Sequence, residues 1–413
     1  MSRKCARPPG PVYKIKRMYK AALTVVIALS ATVALAELAM RAGAIRFSTS
    51  FHMLDLERGW VLRPGAEGWQ SNEGEAAVRI NSRGMRDRER SVEKPAGSFR
   101  VAVAGDSFTE AMQVPLEKTF PALMEQELSG CAALGGRKVE VLNFGVGAYG
   151  TAQQLLTLRN HALRFRPDLV INVFYAGNDF YNNHRQLNPS NGDAAPYFVL
   201  DGERLALEQP FSKGGKPGAF AAGLRDFYAA AVRYSRLLQT ATQAYYNVQR
   251  QRTRAADQNR LAAEFGPDYM EWLAYRPPSH PAMRESWRVT ERLLLQMRAE
   301  VESSGARFRL VLASNAIQVH PDRSFREAYR RKYAIDDLLY ADRRIRQAAE
   351  SAGIEVSEIA GPMREYAERT GTFFHGFRQN PGAGHWNEAG HQFVARLLSG
   401  AVCEEATRPD RRR

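Results

Sequence analysis

From Arg100 onward, short apolar runs alternate with longer stretches in which apolar residues recur at helical spacing. Val101-Ala102-Val103-Ala104 ends in Gly105, and residues 117–128 then read as a helix. Val139-Glu140-Val141-Leu142 reads as a second strand, residues 151–165 as a helix, and residues 169–175 as a third strand that is apolar throughout. The same rhythm returns later: helix 287–303, strand 308–313, helix 336–352, a strand near 354–359 and a last helix over 387–398. Strands that are apolar without alternation, separated by helices, predict a parallel sheet covered on both faces. Residues 98–184 and 286–402 thus form one α/β domain with five predicted parallel strands.

Two segments break the rhythm. Residues 45–97, rich in Arg, Glu, Gly and Ser with short alternating pieces such as Ala77-Val78-Arg79-Ile80, read as a small irregular β lead-in. Residues 185–285 open with a polar loop around 188–193 and continue as helical text carrying Phe227, Tyr228, Tyr234, Tyr245, Tyr246, Tyr269, Trp272 and Tyr275. This predicts a helical insertion or lid whose aromatics serve packing, with a substrate groove as the alternative.

The N-terminus changes the picture of where the domain works. Ala21 to Ala36 carry no charge and follow a head, residues 1–20, with seven basic residues and no acid. Cationic flanks stay in the cytoplasm, so everything after the apolar stretch is placed on the far side. A span needs about 20 residues, which residues 21–40 supply if Glu37 sits at the interface. A cleaved signal peptide is the alternative, because Ala34-Leu35-Ala36 has the small-x-small form of a cleavage site. Either way the expected location is extracytoplasmic: anchored in the inner membrane with a periplasmic domain, or secreted.

The formal net charge is +14, but the head and the basic tail 403–413, which ends Arg411-Arg412-Arg413, supply much of it. The charge is therefore a topology signal and a solvated tail, and no nucleic-acid partner is expected. Cys5, Cys131 and Cys403 show no metal-binding spacing. Cys131 and Cys403 are left as either a disulfide formed in an oxidising compartment or two buried thiols. No histidines stand in HxxxH or HxH spacing beside acids, so neither a metal nor another cofactor is expected.

Four short blocks fall at strand ends, where open α/β sheets gather reactive groups. Gly105-Asp106-Ser107-Phe108 follows the first strand and exposes a serine on a tight turn. Asn143-Phe144-Gly145-Val146-Gly147-Ala148-Tyr149-Gly150 follows the second, and its small residues allow main-chain N–H groups to face a ligand. Gly177-Asn178-Asp179 follows the third. Gly384-His385-Trp386-Asn387-Glu388 precedes the last helix. Nucleophile, two oxyanion donors and base are the parts that acyl transfer needs.

With these blocks in order the text resembles the SGNH/GDSL hydrolase family over residues 98–185 and 305–400. It is similar above all to exported, membrane-anchored bacterial members, which tend to carry a phrase like Arg79-Ile80-Asn81-Ser82-Arg83-Gly84-Met85-Arg86-Asp87 ahead of the serine block. The resemblance implies a flavodoxin-like three-layer α/β sandwich. It also implies roles: Ser107 as nucleophile, His385 as base, and an oxyanion hole from the N–H of Ser107, the N–H of Ala148 or Gly147, and the Asn178 side chain. Gly105, Asp106 and Asp179 are supporting residues. Ala148 stands where the family has glycine, a departure that matters only if the position needs positive φ. The expected activity is a serine esterase acting on acyl or acetyl esters, with envelope glycans or exopolysaccharide a natural substrate class and an O-acyltransferase as the related route.

One departure is larger. Family members usually carry an aspartate two or three residues before the histidine, and here those positions are Gly382 and Ala383. That carboxylate fixes the imidazole tautomer and stabilises the imidazolium. Three readings follow: a Ser–His dyad oriented by a backbone carbonyl, a carboxylate from elsewhere such as Glu388 or one in the insertion, or an inactive glycan-binding or assembly protein. His391 is expected on the final helix facing the core, and His375, in Phe373-Phe374-His375-Gly376-Phe377, on the cleft border.

Overall fold

The computed structural model describes residues 11–43, 50–188, 194–209, 227–228, 231–232, 234–266 and 268–407. The residues of the basic head before Pro11, with Cys5, the loop 189–193 and the closing arginines lie outside these. The chain divides into two units, Met1–Ser50 with Gly218–Tyr246, and Phe51–Pro217 with Asn247–Arg413. In the first, helix α1 (Pro11–Arg41) contains the apolar stretch, and Met18–Arg41 is long and apolar enough to cross a membrane.

The second unit opens with two hairpins. β1 (His52–Asp55) pairs with β2 (Gly59–Leu62), and β3 (Glu67–Gln70) with β4 (Ala76–Arg79). The lead-in is therefore more regular than expected. Then come β5 (Phe99–Ala104), α2 (Ser107–Glu110), α3 (Phe120–Ser129), β6 (Val139–Asn143), α4 (Thr151–Asn160) and β7 (Leu169–Phe174). A hairpin of β8 (Tyr197–Asp201) and β9 (Arg204–Glu208) follows, then α5 (Arg236–Phe265), α6 (Tyr269–Trp272) and α7 (Pro281–Ser303). β10 (Arg307–Leu312), α8 (Arg323–Lys332), α9 (Tyr340–Ser351), β11 (Glu355–Glu358), α10 (Ala360–Thr370) and α11 (Glu388–Thr407) complete the chain.

The five-stranded sheet is parallel throughout, in the order β11-β10-β7-β5-β6. Counted along the chain this is 2-1-3-4-5, the flavodoxin-like order. Its strands read as apolar runs because alternate residues feed two cores. Ala102, Ala104, Leu142, Val170 and Leu310 pack with Leu155 of α4, Trp287 and Leu294 of α7 and Ile345 of α9. Val101, Val103, Val141, Ile171 and Val311 pack with Met124 of α3, Met363 of α10 and Val394 and Leu398 of α11. Each valine, leucine, isoleucine or methionine among them contributes about 1.5–3 kcal/mol on burial.

The insertion departs from its expected form. Tyr197–Asp201 is rich in aromatic and aliphatic residues and ends at a two-residue turn whose Gly202 sits at φ +61°, a hairpin signal inside text read as helical. Tyr269 and Tyr275 are buried in the core, as packing residues should be, whereas Phe227, Tyr228, Tyr234 and Tyr245 are exposed. The tail begins later than expected, because α11 runs to Thr407 and Cys403 within it is disulfide-bonded to Cys131.

Candidate active site

Strand order reverses between β5 and β7, and the crevice beyond their carboxyl ends is where such sheets collect ligands. Ser107 follows β5 and Asn178 follows β7, so the topology sets them on the two sides of that crevice. Gly105 closes β5, and its carbonyl accepts a hydrogen bond from the Val146 N–H at 3.2 Å. Asp106 caps α2 by accepting from the Phe108 N–H at 2.9 Å. Ser107 stands at the first turn, partly exposed.

The phrase ahead of the serine block braces this turn. Arg86, almost fully buried, donates to the carbonyls of Glu110, Ala111 and Val114. Asn143 donates to the Thr109 carbonyl at 2.8 Å and accepts from the Gly145 N–H at 2.9 Å, which ties the second block to the helix that carries Ser107.

His385 reaches the serine directly. Its Nε2 lies 2.8 Å from Ser107 Oγ. On the other side of the ring, Nδ1 lies 2.6 Å from Oε2 of Glu73, and the His385 main-chain N–H donates to the same oxygen at 3.2 Å. The carboxylate beside His385 is thus a glutamate from the β3–β4 turn, neither Glu388 nor a residue of the insertion. Glu388 instead faces Lys118 at 3.9 Å. Two glycines make the arrangement possible. A Cβ on Gly74 would lie 2.3 Å from the Gln113 carbonyl oxygen, so only glycine lets the turn settle this deeply. A Cβ on Gly384 would lie 2.6 Å from the Glu73 carboxylate.

The charges are mutually supporting. Burial alone would raise the Glu73 carboxyl, but the hydrogen bond and charge of His385 outweigh it and hold the group below its ordinary value. Burial alone would lower the His385 imidazole, and Glu73, with help from Asp106 and Glu110, raises it instead.

Among the described residues, the main-chain N–H groups of Ser107, Gly147 and Ala148 donate to no protein acceptor. Ala148 is exposed and sits at φ +63°, so the departure from glycine does matter: an L-residue is held in left-handed backbone there. Asn178 is buried, and its Nδ2 donates one hydrogen to Asp106 Oδ2 at 2.7 Å, which leaves its second amide hydrogen for another acceptor. Burial pushes Asp106 up to about 6. Asp179, fully buried, accepts from the Tyr175 N–H at 2.8 Å and from Gln154 at 2.9 Å, fixing the turn that presents Asn178, and burial raises it well above the carboxylate range.

The remaining histidines divide differently. His391 is buried on α11, stacked on Phe120, as expected. His375 is not on the cleft border but buried behind the base, where its Nδ1 lies 2.7 Å from the Gly384 carbonyl and its Nε2 2.9 Å from Ser314 Oγ. Burial lowers it to about 4, so it is neutral, donates to Gly384 and accepts from Ser314. Among the described residues no group of three or more His, Cys, Asp or Glu side chains could hold a metal ion.

No protein-family model matches the chain, and no curated protein matches it. Solved structures do resemble it. An acetylxylan esterase of Geobacillus stearothermophilus, Axe2, is 13% identical over 76% of this chain and 100% of its own, with a TM-score of 0.37. The lipase/acylhydrolase of Enterococcus faecalis is 13% identical over 74% of this chain and 96% of its own, with a TM-score of 0.35. A lipolytic protein of the G-D-S-L family from Desulfitobacterium hafniense is 10% identical over 73% and 99%, with a TM-score of 0.32. The structural neighbours of this chain are thus G-D-S-L acylhydrolases and acetylxylan esterases.

Proposed function

We propose that this protein is a serine esterase that works through a Ser107–His385–Glu73 triad and a covalent acyl-serine. The observation that carries the reading is the continuous line of two hydrogen bonds, 2.8 Å from Ser107 Oγ to His385 Nε2 and 2.6 Å from Nδ1 to Glu73.

In the proposed reaction, Ser107 Oγ attacks the ester carbonyl carbon while its proton passes to His385 Nε2. Glu73 holds Nδ1–H in place and stabilises the imidazolium. Charge gathers on the carbonyl oxygen, which the N–H groups of Ser107 and of Gly147 or Ala148 and the spare amide hydrogen of Asn178 would receive. The intermediate collapses, the alcohol leaves with the proton from Nε2, and the acyl group stays on Ser107. Water, attacking by the reverse path, releases the acid; a sugar hydroxyl would instead complete an acyl transfer.

An apolar helix after a basic head supports an extracytoplasmic domain, and in that location acetyl or acyl esters of envelope glycans are the substrate class we favour. The inactive, glycan-binding reading rests on a missing carboxylate, and the Glu73 carboxylate beside His385 counts against it.

The test compares the full chain with Ser107→Ala and His385→Ala on an activated acetyl ester, with a fluorophosphonate label run alongside. Turnover and labelling lost in Ser107→Ala, with turnover lost in His385→Ala, are expected. A folded wild type that neither labels nor hydrolyses would overturn the esterase reading.

A further inference from the structure

Within the first unit, the end of the apolar helix grips the start of α5. The Glu37 carboxylate accepts from the Arg236 N–H at 3.0 Å, the Leu237 N–H at 3.1 Å and Ser235 Oγ at 3.0 Å. Two of these donors are orphan N–H groups of a helix's first turn, which a carboxylate satisfies well. Arg41, one turn on, donates to Glu37 at 2.8 Å and to the Tyr234 carbonyl. The one acid near the end of the apolar stretch is therefore a cap for another helix, and it fixes α5 at the level where the apolar stretch ends.

The two sides of the capped segment differ. Val232 ahead of the helix and Gln239 within it are buried. Tyr234 is 70% exposed, Leu238 39% and Tyr245 60%. Within α5, Leu238, Ala241 and Tyr245 share one exposed face at helical spacing, and Tyr234 is exposed just ahead of it. Tyrosine and leucine together suit the boundary between headgroups and acyl chains, where an aromatic body is wetted at its hydroxyl. Arg236 is on the same turn as this face, a side chain that anionic headgroups attract.

We infer that the start of α5, through Leu238 and Tyr245 and with Tyr234 just ahead of it, lies in the interfacial layer of the same bilayer that α1 spans. The occupant of this exposed face is lipid, because α1 is exposed along its apolar length, including Leu23, Ile27, Leu29 and Leu35, and Glu37 makes the two helices continuous at that depth. The inference rests on the membrane-anchored reading and is independent of the esterase chemistry. Its consequence is a second, in-plane attachment beside the single span.

The experiment places a fluorescent amino acid at Val26, Leu238, Tyr245 or Arg204, one site at a time, in the full chain reconstituted in phosphatidylethanolamine–phosphatidylglycerol vesicles. Quenching by lipids spin-labelled near the headgroup or deep in the acyl chain reads depth, and aqueous iodide reads exposure. The expected result is shallow-lipid quenching at 238 and 245, deep-lipid quenching at 26 and neither at 204, with the signals at 238 and 245 reduced by Glu37→Ala. Quenching at 26 with iodide access at 238 and 245 would overturn the interfacial seat while leaving the span. Position 26 quenched, with 238 and 245 reached by neither lipid nor iodide, would mean a protein covers the face and would also overturn it. No lipid quenching at position 26 would remove the membrane-anchored reading itself.

Discussion

Glu73 and His385 stand 312 residues apart in the chain, yet their side chains meet at 2.6 Å. The glutamate belongs to a hairpin turn ahead of the sheet, and the histidine to the loop before the last helix. The first test of their partnership is Glu73→Gln, which keeps the shape and removes the charge. In a serine protease triad the equivalent loss lowers turnover by about 10⁴-fold. A fall of about 10²- to 10⁴-fold in kcat is expected here, with fluorophosphonate labelling slowed and the thermal transition unchanged. Turnover within about twofold of wild type would show that the carboxylate is a bystander.

The same pair sets the pH profile. In the proposed reaction His385 works as neutral imidazole, and Glu73 raises its pKa above the ordinary value of 6.5. Activity should therefore rise with pH through a midpoint above 6.5. Glu73→Gln removes the charge that stabilises the imidazolium, so its acid limb should move to lower pH even as its plateau falls. A limb that stays in place would assign the titration to another group.

Gly384→Ala tests the geometry without touching a reacting group. The new methyl would meet the Glu73 carboxylate at 2.6 Å, on a backbone at φ +81°. The expected outcome is a loss of kcat approaching that of Glu73→Gln with KM little changed. Alanine at position 148 poses the opposite case. It already occupies φ +63°, so Ala148→Gly should relieve strain and raise stability in urea by about 0.5–1 kcal/mol while the main-chain N–H remains for the oxyanion.

How much of this was legible in sequence follows from how local each signal is. The runs at Val101 and Leu169 announced buried parallel strands because both faces are covered, and Ser107, Asn178 and His385 stood out as candidates by their places at element ends, of which the structure joins Ser107 to His385. Glu73 was not readable. It lies in Ser71-Asn72-Glu73-Gly74-Glu75, which looks like any polar turn, and its partner is fixed by the docking of a hairpin rather than by spacing. The one available hint was Gly384, a glycine beside the base whose missing side chain left room for a carboxylate. The β8–β9 hairpin is encoded in Tyr197–Leu200 and Asp201-Gly202, a short signal set among helical text. The cap that Glu37 places on Arg236 and Leu237 was not readable either, because it joins residues about 200 apart in the chain.

The Cys131–Cys403 disulfide joins the segment after α3 to the last helix across 272 residues. A link of this kind removes conformational freedom from the unfolded chain, and losing one typically costs about 2–4 kcal/mol. Cys403→Ala should lower the urea midpoint accordingly while kcat stays near wild type, since neither cysteine touches the site. Thiol counting under denaturing, non-reducing conditions should find Cys131 and Cys403 blocked in the wild type. Two reactive thiols there would remove the bond and the stability claim together.

Behind the base, buried His375 makes the fold sensitive to acid. Its folded pKa is lowered to about 4, whereas an unfolded histidine titrates near 6.5. The neutral form is the one that donates to Gly384 and accepts from Ser314, so the unfolded chain takes up the proton first. Stability is fully present above pH 6.5 and falls as pH drops towards 4, by about 3 kcal/mol for this one group. Asp106 acts in the opposite sense over part of that range, because its raised pKa, about 6, favours the folded state as the carboxyl is protonated. The two effects separate in an Asp106→Asn variant, which keeps a capping oxygen for the Phe108 N–H but cannot titrate. Its urea midpoint should fall more steeply than that of the wild type between pH 6 and 4, whereas parallel slopes would show that Asp106 titrates alike in folded and unfolded chains.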